Sequence, residues 1–84
     1  MSDNDSEFKG PFAGEFDFSG LKCPLPVLKA RRALKDLASG EVISVRADDP
    51  AAPLDFMHFC ETAGHKLRSS QTLDNGTLFI IQKG

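Results

Sequence analysis

Cys23 is the residue whose surroundings most clearly suggest chemistry. It lies between a glycine turn and two prolines, in the run Gly20-Leu21-Lys22-Cys23-Pro24-Leu25-Pro26. Proline is tolerated in the first turn of a helix, because backbone N–H groups there have no intrahelical partner. We therefore expect Pro24 to be the first helical residue and Cys23 to cap the helix. The positive end of a helix dipole favours the thiolate, which is the nucleophilic form, so Cys23 is predicted to be reactive.

The alternative interpretation of Cys23 is a small apolar residue buried beside a helix start, since free cysteine is among the most buried residue types. The reactive interpretation is favoured because Pro24 and Pro26 lack N–H groups and stiffen the chain, and because Lys22 adds a positive charge. The amides of the two residues that follow these prolines remain as partners for the sulfur. The dipole of an exposed helix is too weak by itself to ionise a thiol fully at neutral pH. Full ionisation must therefore depend on basic neighbours, on a partner protein, or on a species more acidic than a thiol, such as a persulfide.

The other groups of a cysteine-dependent enzyme are missing from the sequence. A cysteine hydrolase needs a base, usually histidine, which a third group orients. The two histidines are expected elsewhere, with His58 on the surface of a helix and His65 in the turn after it. Without a Cys-x-x-Cys pair, exchange of the thioredoxin type is not expected. A thiol without a catalytic base or a resolving cysteine indicates a sulfur carrier rather than a complete turnover enzyme. No cofactor is expected.

Cys60 is expected to be structural. It falls in an apolar stripe at helical spacing, formed by Phe56, Met57, Cys60 and Ala63, and a buried thiol is inert. A zinc site built from the cysteines and histidines is not expected, because His58 and Cys60 are two residues apart and point to different sides of the helix. Two cysteines do not make a disulfide framework, so both are expected to be free thiols in a reducing compartment.

Positive charge is concentrated in the segment that carries Cys23. Residues 21–35 contain no acidic residue, and their basic residues are Lys22, Lys29, Arg31, Arg32 and Lys35. Such a face is most simply a solvated surface, but it also suits the docking of acidic partner proteins. Nucleic-acid binding ranks lower, because the formal net charge is −2 and there are few aromatic side chains to stack on bases. The alternative function is a regulatory module that binds protein or nucleic acid through this face, with Cys23 incidental.

The chain has the size and composition of one small domain. It contains 84 residues, of which 40% are hydrophobic and 26% charged, as is ordinary for globular proteins. No apolar run is long enough to span a bilayer, and the first residues are acidic and polar, so a cytoplasmic location is expected. The protein is also expected to be a monomer. Residues 1–14 are acidic and are broken by glycine and proline, which favours a flexible tail ahead of a domain at 15–84.

Hydrophobic periodicity predicts six elements along the chain. Strands are predicted at 15–18, 41–47, 65–73 and 77–83, and helices at 24–38 and from the Asp48-Asp49-Pro50 turn to residue 63. The apolar face of the first helix comprises Val27, Ala30, Leu34 and Leu37. Gly40 and Gly64 are expected to end the two helices, and Asn75-Gly76 to form a hairpin turn. The order β-α-β-α-β-β predicts an α+β two-layer sandwich, with both helices on one face of a four-stranded mixed sheet.

The motif around Cys23 gives the chain a resemblance to a known family. Cys-Pro-x-Pro is present as Cys23-Pro24-Leu25-Pro26. Further matches in order and spacing are Gly40-Glu41, Asp48-Asp49-Pro50, Phe59-Cys60 and Gly64-His65. From about Phe16 to Gly84 the chain resembles the TusA/SirA family of small sulfur-carrier proteins. The resemblance implies a β-α-β-α-β-β sandwich like the C-terminal domain of bacterial translation initiation factor three.

The resemblance also implies a sulfurtransferase-type role for Cys23. This residue would receive sulfane sulfur as a persulfide from a cysteine desulfurase or a rhodanese-type protein, and would pass it to an acceptor protein. Contact with these partners would be framed by Lys22, Pro24, Leu25 and Pro26. Acceptors in the family include relay proteins for transfer-RNA thiolation, molybdenum-cofactor assembly and sulfur oxidation. The transfer-RNA-thiolating members have an acidic residue where this chain has Leu25, so the chain resembles a second group with diverse pathways.

Overall fold

The structure is a computed structural model that describes residues 12–84. Its elements are β1 (Gly14–Asp17), α1 (Leu25–Lys35), β2 (Val42–Ala47), α2 (Ala52–Ala63), β3 (Lys66–Leu73) and β4 (Gly76–Gln82). The predicted order β-α-β-α-β-β is confirmed. Of the predicted tail at residues 1–14, only residues 12–14 are among the described residues. Within them, the Ala13 N–H donates to the Val42 carbonyl at 2.7 Å, and Gly14 is the first residue of β1.

The four strands form one mixed sheet in the order β1-β2-β4-β3. β1 is parallel to β2, whereas β4 is antiparallel to both of its neighbours, β2 and β3. Strands β1, β2 and β3 therefore run in the same direction. Because α1 and α2 each return the chain after one of these strands, both helices run in the opposite direction. The N-terminal ends of the two helices consequently lie at the same end of the sheet.

Both helices pack on one face of the sheet, as predicted. The buried core between the two layers comprises Ala30, Leu34, Ile43, Val45, Ala47, Ala52, Phe56, Phe59, Cys60, Phe79 and Ile81. Alternation along β2 places Ile43, Val45 and Ala47 on the helix side, as their spacing predicts. The rings of Phe56 and Phe79, with centroids 4.6 Å apart, join α2 to β4.

The buried face of α2 differs from the predicted one. It consists of Ala52, Phe56, Phe59 and Cys60. Met57, predicted to be in the core stripe, is 53% exposed, and Ala63 is also exposed. The physical reason is helical geometry: Phe56, Phe59 and Cys60 stand at positions i, i+3 and i+4, whereas Met57 is turned about 100° away from Phe56. The bulkier phenylalanine occupies the core and the methionine is left at the surface.

The first helix ends before the glycine that was expected to stop it. Gly40 lies instead in the turn into β2, with φ +95°. A side chain from the far end of the chain binds carbonyl groups at and just after the end of α1, because Lys83 Nζ donates to the Leu34 carbonyl oxygen at 2.8 Å and to the Leu37 carbonyl oxygen at 2.9 Å. The second helix ends as predicted, with Gly64 in the left-handed conformation at φ +81°.

Candidate functional site at Cys23

Cys23 is exposed at the end of the sheet where the two helices begin. It lies in the turn between β1 and α1, and its peptide bond to Pro24 is cis. Pro24 occupies the N-cap position of α1, so the prediction that Cys23 caps the helix is wrong by one residue. The reason is a backbone turn that precedes the helix, in which the Leu25 N–H donates to the Lys22 carbonyl at 2.7 Å. This bond also occupies the Leu25 amide, which was expected to be available to the sulfur.

The backbone of the Cys23 loop is held by carboxylates from the loop between β2 and α2. The Gly20 N–H donates to Asp48 Oδ1 at 3.0 Å, and the Cys23 N–H donates to Asp49 Oδ2 at 3.0 Å. Asp49 Oδ1 accepts the Ala51 N–H at 2.8 Å, so Asp49 connects Cys23 to the start of α2. The hydrogen bonds from Ala51 and then from Cys23 hold the pKa of the Asp49 carboxyl below its ordinary value. Asp49 is therefore negatively charged at neutral pH.

The Cys23 thiol is not shifted toward the thiolate, contrary to the prediction from the helix dipole. Its hydrogen bond to the Asp55 side chain raises the pKa of the thiol, and partial loss of hydration and the negative charges of Asp55 and Asp49 raise it further. Asp55 lies in the first turn of α2. The sequence shows Lys22 next to Cys23, but it does not show the carboxylates that approach from α2. At neutral pH the protonated thiol therefore predominates.

Cys60 and the two histidines are separate from this site. Cys60 is 3% exposed within the core, as predicted, and burial raises its pKa to about 11. His58 is exposed on α2, as expected, and His65 Nδ1 accepts the Gly84 N–H at 3.0 Å. Burial, and then the charge of Lys83, lower the pKa of His65. Within residues 12–84 no three histidine, cysteine, aspartate or glutamate side chains are arranged as metal ligands.

The basic side chains of α1 line two grooves, one on each side of that helix. Lys29 and Arg32 border a partly apolar groove between α1 and β1. Arg31, Arg32 and Lys35 border a larger groove of about 740 Å³ between α1 and α2, to which Lys83 also contributes. All four α1 residues are exposed, so the predicted basic surface is present. We call these two grooves and their basic residues the basic grooves.

Exposed apolar side chains lie at the same end of the molecule as Cys23. Among the described residues, the large hydrophobic side chains that stay exposed are Leu25 and Leu28 on α1 and Leu54 and Met57 on α2. All four belong to the first two turns of their helices. Of the residues expected to frame partner contact, Lys22, Pro24 and Leu25 are exposed. Pro26, which was also expected to frame this contact, is instead buried in the first turn of α1, so its side chain is not part of the exposed surface around Cys23.

Sequence reasoning missed the acidic residues around the sulfur. It assigns Asp48 and Asp49 to a turn and a helix cap, although Ala51 is the N-cap of α2, and it gives Asp55 no role. A usable signal was present in the predicted topology. When two successive strands are parallel and each is followed by a helix, both helices begin at the same end of the sheet. Residues in the first turn of α2 must therefore come close to Cys23.

Comparisons with known proteins connect this arrangement to one family. The family model described as Sulfurtransferase TusA matches residues 14–83, which include Cys23 and all four strands. Two proteins of Neisseria meningitidis, from serogroups A and B and each named "Putative sulfur carrier protein", are 42% identical over 66 residues, or 79% of this chain and 89% of theirs. The crystal structure of a SirA-like protein from Desulfitobacterium hafniense matches with a TM-score of 0.70 and 27% identity, over 82% of this chain and 93% of that one. The resemblance seen in the sequence is thus confirmed, and the chain belongs to the TusA sulfurtransferase family.

Proposed function

We propose that this protein is a sulfur carrier, in which Cys23 accepts sulfane sulfur as a persulfide and passes it to an acceptor protein. The observation that carries the proposal is an exposed cysteine, within the part of the chain that matches the family, at the end where both helices begin. The names of the Neisseria relatives support the carrier role. Cys60 is buried, so Cys23 is the cysteine that a partner's sulfur can reach.

The proposed transfer is an exchange at sulfur. The Cys23 sulfur attacks the terminal sulfur of a donor persulfide, and a new sulfur–sulfur bond forms while the donor's own sulfur–sulfur bond breaks. The donor leaves as a thiolate and takes up the proton that Cys23 gives up. A donor persulfide and a Cys23 thiol thus become a donor thiol and a Cys23 persulfide, and the same exchange then delivers the sulfur to an acceptor cysteine. Nothing is oxidised or reduced overall, so the exchange requires no cofactor or metal.

The proposed partners are proteins that carry reactive sulfur. The donor is a cysteine desulfurase or a rhodanese-type protein, and the acceptor is a relay protein for transfer-RNA thiolation, molybdenum-cofactor assembly or sulfur oxidation. Leu25 is exposed beside Cys23, at the position where the resemblance gives the transfer-RNA-thiolating members an acidic residue. We propose that the carrier acts as a monomer in the reducing cytoplasm, where a free thiol persists. Within residues 12–84, no helix has the length and apolar character needed to cross a membrane.

Intact-protein mass spectrometry tests the sulfur acceptor directly. The protein is incubated with a cysteine desulfurase and cysteine, and we expect a mass gain of one sulfur atom that a reducing agent removes. The gain should disappear in Cys23→Ser and remain in Cys60→Ser. A gain that survives in Cys23→Ser and vanishes in Cys60→Ser would overturn the assignment.

The basic grooves support acidic partner proteins as the docking class. Four exposed basic side chains of α1 line them, and complementary charge increases the rate at which partners associate. Charge reversal at Arg31, Arg32 and Lys35 should slow sulfur transfer while Cys23 stays chemically competent toward a small persulfide donor. The regulatory alternative gives the reverse pattern, because its function would survive Cys23→Ser and fail on charge reversal.

A further inference from the structure

The face of the sheet that is turned away from the helices carries buried apolar side chains. Val42, Ser44, Leu78 and Ile80 lie on this face, because they alternate with the core residues of β2 and β4. Both helices pack on the other face, yet Val42 is only 4% exposed and Ile80 only 6% exposed. On an open face such side chains contact water, so a part of the chain outside the helices covers them. We call this side of the sheet the helix-free face.

Phe12 shows where this cover begins. Together with residues of β1, β2 and β4, among them Ser44 and Ile80, it lines a groove of about 450 Å³ on the helix-free face. Ala13 follows directly and begins the contact with β2, because its N–H donates to the Val42 carbonyl. Strict alternation along β1 predicts Phe12 on the helix side, so the chain changes sides just before β1. The described part of the chain therefore begins on the helix-free face.

Charge on the helix-free face is divided between its two edges. Its charged side chains, from β1 through β2 to β3, are Glu15, Asp17, Arg46, Lys66 and Arg68. The acidic residues are on β1, where Asp17 stands opposite Arg46. Both basic residues of β3 are exposed, and Arg68 Nη1 donates to Gln82 Oε1 at 2.7 Å, which keeps the guanidinium group on this face. The face is thus acidic along β1 and basic along β3, which is its opposite edge.

We propose that the acidic segment at residues 1–11 binds across the helix-free face of its own chain, with its carboxylates at the basic β3 edge. The charged and aromatic residues of this segment are Asp3, Asp5, Glu7, Phe8 and Lys9. The carboxylates complement the positive charge of β3, and the aromatic ring extends the apolar cover that Phe12 begins. The binding does not depend on the proposed sulfur-carrier function, since it concerns a different face of the domain.

The reach of the segment fits this path. Val42, Gln82 and Lys66 stand in one row across β2, β4 and β3, and the chain meets this row beside Val42. Three spacings between neighbouring strands separate β1 from β3, which is about 14 Å. The five residues from Phe12 back to Glu7 cover about 17 Å when extended. The Glu7 carboxylate therefore reaches the β3 edge, and the aromatic residue that follows it lies over β4.

The basic grooves are another positively charged surface of the domain, and they define the competing arrangement. They border α1 in the helical layer, whereas Phe12 lines a groove on the opposite side of the sheet. A segment that leaves along the helix-free face keeps its carboxylates away from α1. It stabilises the sheet and leaves the basic grooves open to acidic partner proteins.

Paramagnetic broadening of amide NMR signals locates the segment in the full chain. A nitroxide is attached at Ser6→Cys in a Cys23→Ser background, and Cys60 stays unlabelled because it is buried. We expect the strongest broadening outside the segment at the amides of Arg68 and Gln82. Strongest broadening on α1 would overturn the proposal in favour of the basic grooves. Broadening confined to the residues that precede β1 would overturn it too, because the segment would then have no fixed place on the domain.

Charge reversal tests what holds the segment on the sheet. In the labelled chain, Lys66→Glu combined with Arg68→Glu should restore the broadened signals of β4 severalfold, because like charges then repel the carboxylates. The matched control, Arg31→Glu combined with Lys35→Glu, makes the same charge change on α1 and should leave the broadening as it is. All four side chains are exposed, so neither pair disturbs the core, and urea midpoints verify folding. Broadening that persists in the β3 pair, or that the α1 pair also removes, would overturn the proposal.

Discussion

Replacing each cysteine by serine separates the role of Cys60 from that of Cys23. Cys60 is 3% exposed in the core, whereas Cys23 is exposed. At Cys60 the substitution buries a hydroxyl group, and a buried hydroxyl without a partner costs about 1–3 kcal/mol. Serine within a helix can donate to the carbonyl group four residues earlier, here that of Phe56, and this recovers part of the cost. We expect Cys60→Ser to lower the free energy of unfolding by about 1–2 kcal/mol.

Urea denaturation followed by circular dichroism measures this loss. The slope for a domain of this size is about 1 kcal/mol per molar urea, so the midpoint should fall by about 1–2 M. A chain of 84 residues has a total stability of about 4–13 kcal/mol. Cys60→Ser should therefore remain folded at 25 °C and can be tested for sulfur uptake, which we expect it to retain.

Cys23→Ser is the matched control, because the same atoms change at an exposed site. Its urea midpoint should equal that of the natural protein, while its sulfur uptake is lost. An equal loss of stability in both variants would refute the reasoning, since Cys23 would then contribute to packing. A Cys60→Ser midpoint that does not move would refute the cost assigned to the buried hydroxyl.

Three further predictions follow from the core, a helix end and the exposed apolar residues. Burial raises the pKa of Cys60 from 9.0 to about 11. Between these two pH values the folded chain keeps a proton on Cys60 that the unfolded chain loses. The free energy of unfolding should therefore fall by about 2–3 kcal/mol from pH 9 to pH 11. Urea midpoints across this range should fall less in Cys60→Ala, and equal falls would contradict the assignment. Gly64→Ala should lower the free energy of unfolding by about 1–2 kcal/mol, because Gly64 has a left-handed φ of +81°, which is unfavourable for alanine. Thermal denaturation measures this loss, and an unchanged melting temperature would be inconsistent with that conformation. Leu54→Ser should slow sulfur transfer at low carrier concentration, because it removes an exposed apolar side chain from the partner-facing end of α2. The urea midpoint should not move, since Leu54 is 66% exposed. A transfer rate equal to that of the natural protein would show that Leu54 does not contact the partner.

The fold was predictable because local patterns and topology agree. Alternation in β2 selects the helix-facing residues Ile43, Val45 and Ala47. The predicted hairpin joins β3 and β4, but its two turn residues are Asp74 and Asn75, because Gly76 already pairs with Leu73 as the first residue of β4. With these elements placed, two helices in a β-α-β-α-β-β chain have few alternatives to packing on one sheet face. The local sequence is also enough to distinguish the two cysteines. Cys60 lies within an uninterrupted helical pattern, which indicates a core residue, whereas Cys23 lies among turn residues.

The missed features depend on contacts between segments distant in sequence. Whether Met57 or Phe59 faces the sheet depends on the rotation of α2 about its own axis, which apolar spacing leaves ambiguous when neighbouring positions are both hydrophobic. The protonated state of Cys23 depends on Asp55, which lies on another element. A local view of Cys23 includes Lys22 and the helix dipole, and both of these favour the thiolate. The opposing carboxylates become visible only when the two helix starts are placed side by side.

The location of Cys23 at a single end of the domain has a consequence for how the proposed carrier works. A donor and an acceptor must each bring their own cysteine to the same sulfur atom, and both would cover the first turns of α1 and α2. On the proposed function the two partners would therefore exclude one another, and the protein would act as a shuttle and not as a scaffold. Its kinetics should be of the ping-pong type, in which an excess of either partner traps the carrier and slows the overall flow of sulfur.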